Sequence, residues 1–101
     1  LDAALLARLA TADLVLLGGT FFTDDELQRQ GIGQRTATQM GHAPIGGGSG
    51  TLAAFGGLPS RHKVYTHINN TNLVLLEDSL ERQAVERAGI LVGKDGLEFQ
   101  I

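Results

Sequence analysis

Three histidines, eleven carboxylates and a cluster of asparagines are the side chains here with chemistry to offer, and there is no cysteine. Missing cysteine excludes disulfides, thiolate nucleophiles and cysteine-bound zinc within these residues, and it suits a cytoplasmic setting. His67 closes an apolar, β-branched run and is followed by Asn69-Asn70-Thr71-Asn72. An imidazole at a strand end can turn one ring nitrogen toward a metal while a neighbour orients the other. The plainer alternative is a histidine satisfied by a backbone carbonyl, beside asparagines that simply make a turn. His42 follows Gly41 in a glycine-rich stretch. Its ordinary pKa of about 6.5 suits a general acid or a second metal ligand, and plain solvent exposure is the alternative.

Other groups read more simply. His62 lies between Arg61 and Lys63, where two cations disfavour a metal, so it is expected at the surface. Thr23-Asp24-Asp25-Glu26 has the form of a helix-capping box, which explains its spacing better than paired catalytic carboxylates do. The run Gly46-Gly47-Gly48-Ser49-Gly50 lacks the Gly-Lys-Ser/Thr ending of a phosphate-binding loop. No Ser-His-Asp set can be assigned from residue order alone.

The elements that must position these groups follow from periodicity. Leu1, Leu5, Leu6 and Leu9 share a helical face, predicting a helix over 2–10. Leu14–Leu17 is apolar on both faces, as in a strand covered on both sides, and Gly18-Gly19-Thr20 closes it. Residues 30–50 read as a long connection, broken by a short helix near Thr36–Met40, with another short helix at Thr51–Phe55. A second strand is predicted over Lys63–Ile68. A helix then starts at Asp78-Ser79-Leu80-Glu81, with Leu80, Ala84, Val85 and Ala88 inward and Gly89 as its stop. Asp95-Gly96 between Ile90–Val92 and Leu97–Ile101 predicts a hairpin. Strands alternating with helices give an α/β (α+β) chain, with Gly18-Gly19-Thr20, His67 and, through the loop, His42 at strand C-terminal ends, where open sheets bind ligands.

Composition bounds the partners. With 101 residues, 43% hydrophobic and 19% charged, the chain is expected to form one soluble domain, residues 1–101. Net charge is −3 with scattered basic residues, which disfavours nucleic acid. No apolar run approaches the roughly 20 residues that span a bilayer, so no membrane partner is expected. The start at Leu1-Asp2-Ala3-Ala4, already helical in pattern and without Met, reads as that of a fragment or processed product.

Taken in order, Asp13-Leu14-Val15-Leu16-Leu17-Gly18-Gly19-Thr20, Thr23–Leu27, Gly31–Thr36, Met40-Gly41-His42, His67–Asn72, Asp78–Arg82 and Asp95-Gly96 resemble the C-terminal part of the B proteins of pyrroloquinoline quinone (PQQ) biosynthesis. The resemblance covers essentially the whole chain, and the His67–Asn72 segment is its most specific piece. It implies the C-terminal portion of a metallo-β-lactamase-like αββα sandwich. It also implies His67 as a metal ligand and His42 as a loop histidine near the metal that handles protons. The divalent metal, iron or zinc, is expected in the full-length family and weakly held or absent in this chain alone.

The departures bear on chemistry. The family pattern has a metal-binding Asp where this chain has Gly18, prolines at the positions of Leu73 and Leu80, and Met-Ser where Ala43-Pro44 stands. The activity implied is metal-dependent oxidative hydroxylation of a Glu- and Tyr-derived quinone precursor, inactive in this chain unless the missing portion completes it. Alternatives are a non-catalytic carrier or transport factor for PQQ or its precursor, and a structural remnant that self-associates as a homo-oligomer through its uncovered sheet face.

Overall fold

The computed structural model describes residues 2–48 and 50–100. Strands β1 (Leu14–Gly18), β2 (His62–Thr66) and β3 (Leu91–Val92) form a parallel sheet in that order. Parallel neighbours cannot be joined by a tight turn, and both connections carry helices. Between β1 and β2 lie α2 (Glu26–Arg29), a 3-10 turn at Thr38–Met40 and α3 (Leu52–Gly56). Between β2 and β3 lie a 3-10 turn at Leu73–Leu75 and α4 (Leu80–Arg87). Helix α1 (Ala3–Leu9) precedes the sheet. The mixed α/β class is the one expected.

Local chemistry sets these boundaries. The Asp2 carboxylate accepts from the Leu5 amide at 2.8 Å and caps α1. The Ser79 hydroxyl accepts from the Arg82 amide at 3.0 Å and caps α4, which ends before Gly89 at φ 78°. At Thr23–Glu26 the expected capping box does not form. Helix α2 begins at Glu26 with no side-chain cap, and the Glu26 carboxylate is drawn elsewhere. Asp24 instead accepts from the amide and hydroxyl of Thr38, at 2.8 and 2.7 Å. These two bonds, the hydroxyl's first, lower the Asp24 carboxyl pKa below its ordinary value and pin the 3-10 turn.

The sheet is covered on one face. There Val15, Leu17, Tyr65 and Val92 meet Ile45, Phe55 of α3, Leu58, Val74, Val85 of α4 and Ile90, with Leu6 and Leu9 of α1 packed alongside. Lys63 is buried too, its Nζ donating to the Gly56 and Leu58 carbonyls at 2.8 and 2.9 Å and so tying down the end of α3. Register puts Leu14, Leu16 and Gly18 beside His62, Val64 and Thr66, and Leu91 beside Val64, all on the opposite face. That face is open at its outer strands, where Leu16 is 58% and Leu91 46% exposed, whereas Val64 of β2 between them is buried. The expectation of a first strand covered on both sides is therefore corrected.

Three further corrections follow. Asp95-Gly96 makes a turn, but no hairpin forms among the described residues; β3 pairs in parallel with β2, and 97–100 is not strand. Leu80 faces out at 75% exposure, because as the first residue of α4 it lies beyond the stripe marked by Val85. Strand β2 ends at Thr66 rather than Ile68, because His67 turns to φ 55°. The sequence-based assignments of Leu1, Ser49 and Ile101 lie outside the described residues.

Candidate functional site

Because β1 and β2 run in parallel, their exits share one edge of the sheet, and the segment after β1 joins the two. The Gly19 amide donates to the Thr66 carbonyl at 2.8 Å. A side chain on Gly19 would meet Tyr65 Cβ at 2.9 Å, so glycine is what permits this approach. The Thr20 carbonyl accepts from the Asn69 amide at 3.0 Å, and buried Asn72 donates its side-chain amide to the Gly19 carbonyl at 3.0 Å. The Asn72 side-chain oxygen also accepts from the Val74 amide at 3.1 Å. The asparagine-rich segment is thus a turn, and it is bolted to the exit of β1.

His42 reaches the same segment from the long connection. Its Nδ1 stands 3.4 Å from the Thr20 hydroxyl, and its ring packs edge-on against Phe21 with centroids 5.8 Å apart. His67 projects from the exit of β2, exposed to solvent. Among the described residues it alone combines a side chain with positive φ. For a residue with a Cβ that conformation costs about 1 kcal/mol, and such strain gathers at functional sites. The two predicted site histidines are therefore tied to one edge, His42 through Thr20 and His67 through the turn that follows it, although they line different cavities.

A groove of about 520 Å³ runs from this edge along the open face. Leu14, Leu16, Val64, Leu97 and Phe99 give it apolar walls, and Thr66, His67, Lys94 and Asp95 line its polar part. His62, expected at the surface, is half-buried and partly covered by the tail. Its ring lies 4.8 Å from that of Phe99, and its Nε2 is 3.3 Å from the Gln100 carbonyl, so the tail at 97–100 crosses the start of β2.

The side chains on this edge do not fit a resident metal on their own. A catalytic metal of the expected kind needs about three protein ligands, and among the described residues no three of His, Cys, Asp and Glu come together. Gly18, opposite Thr66, offers no side chain, although a Cβ built there meets nothing within 4 Å. A donor set would have to draw on residues beyond this chain.

Sequence reasoning placed Thr20 and the turn containing Thr71 at this edge but missed Glu26, which it assigned to a helix cap. Glu26 is 5% exposed; its Oε1 accepts from the Phe22 amide at 2.9 Å and its Oε2 from the Thr71 hydroxyl. Residues 45 positions apart carry no local signal of such a pairing.

No family model matches the chain. It is 52% identical over 95 residues to coenzyme PQQ synthesis protein B of Gluconacetobacter diazotrophicus, covering 94% of this chain and 31% of that protein. It is 46% identical over 100 residues to the protein of the same name from Pseudomonas putida, covering 99% and 33% respectively. The fold superposes on the crystal structure of Zn(2+)-bound PqqB from Methylobacterium extorquens with a TM-score of 0.93 and 42% identity, over 100% of this chain and 36% of that one. The chain spans about a third of the length of these relatives.

Proposed function

Because this chain corresponds in sequence and fold to the C-terminal part of coenzyme PQQ synthesis protein B, we propose that it serves PQQ biosynthesis as the portion presenting His67 and His42 at the sheet edge. The observation that carries this reading is the strained His67 on a turn bolted to the exit of β1, in a fold matched along its whole length by a zinc-bound relative. The family resemblance makes the reaction an oxidative hydroxylation of the Glu- and Tyr-derived precursor. This chain's own contributions are an imidazole aimed from the sheet edge and a second one, beside the Thr20 hydroxyl, able to carry a proton. The metal ligands that it lacks come, in this proposal, from a longer polypeptide. The proposed setting is cytoplasmic; among the described residues no helix is long and apolar enough to cross a membrane.

Gly18 favours a second reading, carriage of PQQ or its precursor without catalysis, since binding needs no carboxylate there. A chimera separates the two. This chain replaces the matching segment of the Gluconacetobacter diazotrophicus relative, and PQQ is measured in a strain lacking its own copy. Production that is lost on His67→Ala supports the catalytic reading. Production only with Gly18→Asp in the chimera marks a family role whose catalysis failed at position 18. A folded chimera that makes no PQQ in either form sinks the proposal.

A further inference from the structure

Glu26 is a buried carboxylate with no cationic partner among the described ion pairs, which is costly unless hydrogen bonds compensate. Both of its oxygens are used, and both on the segments that carry the site. Oε1 takes the amide of Phe22, just past the exit of β1, and Oε2 takes the hydroxyl of Thr71, in the turn after His67. The Thr71 oxygen in turn accepts from the side-chain amide of Asn69 at 2.7 Å, and the Asn69 backbone is anchored on Thr20. A continuous relay therefore runs from Glu26 through Thr71 to Asn69, two residues beyond the strained His67. Bonds to an ionised carboxylate are roughly twice as strong as neutral ones.

We propose that Glu26 and Thr71 are positioning residues for His67: their relay holds the imidazole-bearing residue in its left-handed conformation at the sheet edge. This rests on the reading above only in giving His67 a task. A strained residue persists where its surroundings over-determine it. The anchors of the turn do different work. Buried Asn72 fixes the far end to Gly19 and Val74, while the near end is held twice, by the Asn69 amide on the Thr20 carbonyl and by the Asn69 side chain through Thr71 and Glu26. Releasing the side-chain relay leaves the turn attached by its other contacts and lets His67 relax to negative φ.

The test is NMR on the chain itself. A left-handed residue brings its amide proton close to its own α proton and gives a strong intraresidue NOE. The unaltered chain and Thr71→Ser, which keeps the hydroxyl, retain that NOE at His67. Thr71→Val and Glu26→Ala lose it, while the amide resonances of Asn72 and of β1 and β2 stay in place. A His67 NOE that persists in Thr71→Val, or is absent from the unaltered chain, overturns the proposal. Should Glu26→Ala not fold, Thr71→Val against Thr71→Ser decides alone. PQQ output of the chimera is read separately, so failure of the biosynthetic reading leaves this result standing, and the reverse holds.

Discussion

Replacing Tyr65 by Phe tests how much of the core rests on one polar contact. Tyr65 and Thr51 are both buried, and their hydroxyls are 2.7 Å apart. Phenylalanine keeps the edge-on contact with Phe55, whose ring centroid lies 5.0 Å away, so little apolar packing is lost. What is lost is the partner of the Thr51 hydroxyl. A buried polar group orphaned in this way costs about 1–3 kcal/mol, whereas replacing both partners by apolar groups of like shape is close to neutral. Tyr65→Phe and Thr51→Val should therefore each destabilise by about 1–2 kcal/mol, and the double variant by no more than either one alone. Urea unfolding at neutral pH measures all three, with an unchanged slope as the check that only stability has moved. A Tyr65→Phe cost below about 0.5 kcal/mol, or a double variant as costly as the sum, refutes the argument.

The same pair sets a pH limb. Burial pushes the Tyr65 phenol up to about 12, with the Thr51 bond offsetting part of the rise. In the unfolded chain the phenol ionises near its ordinary value of 10.0, so between that pH and about 12 the folded state holds the extra proton. The contribution of this group is then fully present below pH 10 and is lost as pH rises through about 12. Alkaline unfolding monitored by circular dichroism should show that decline in the unaltered chain and a shallower one in Tyr65→Phe.

Three further outcomes follow. Leu80→Pro should stabilise the chain by about 0.4–1 kcal/mol, seen as a higher Tm, because a first-turn position needs no amide and a proline there stiffens the unfolded chain; the preceding Ser79 is already extended at φ −71°, ψ 154°, as a proline requires. The isolated chain should self-associate through exposed Leu16 and Leu91; fully burying a leucine is worth about 1.5–3 kcal/mol and Leu16 is 58% exposed, so losing it from both copies in Leu16→Lys should weaken a symmetric dimer at least roughly fifteen-fold by analytical ultracentrifugation. Gly18→Asp should fold normally, since its Cβ meets nothing within 4 Å, and should strengthen zinc retention by about tenfold in calorimetry; equal affinity with and without the carboxylate would remove position 18 from the site.

Much of this fold was legible because its signals are local. The leucine spacing of α1, the apolar run of β1, the helix start at Ser79 and the Gly89 stop each declare an element within a few residues. What misled was context. An Asp-Gly pair signals a hairpin, but residues 97–100 turn back to His62 at the start of β2 instead of pairing with the edge strand β3. Thr23–Glu26 has capping-box spacing, yet Asp24 and Glu26 are drawn off by Thr38 and Thr71, whose approach depends on the tertiary fold. His67 and His42 were recognisable as candidates by type and place. Gly18-Gly19-Thr20 was placed beside them for the same reason, but Glu26 was not, because its pairing with Thr71 spans 45 residues and leaves no local signal.

The two faces of the sheet divide the work. On the covered face, the packing of Val15, Phe55, Tyr65 and Val85 holds the strand exits in register. His67 hangs from the exit of β2 and His42 rests on Thr20 beyond the exit of β1, so the placement of both follows from that core. The open face carries the groove and the exposed leucines, and the side chains at its rim do not close a metal centre. A polypeptide that completes the site must also cover that face, since an apolar surface left bare beside a new ligand would still drive copies together. Completion and self-association then compete for the same exposed leucines, Leu16 and Leu91. A substitution such as Leu16→Lys, which frees the chain from itself, should for that reason also weaken its union with the completing polypeptide, while Gly18→Asp should leave that union intact.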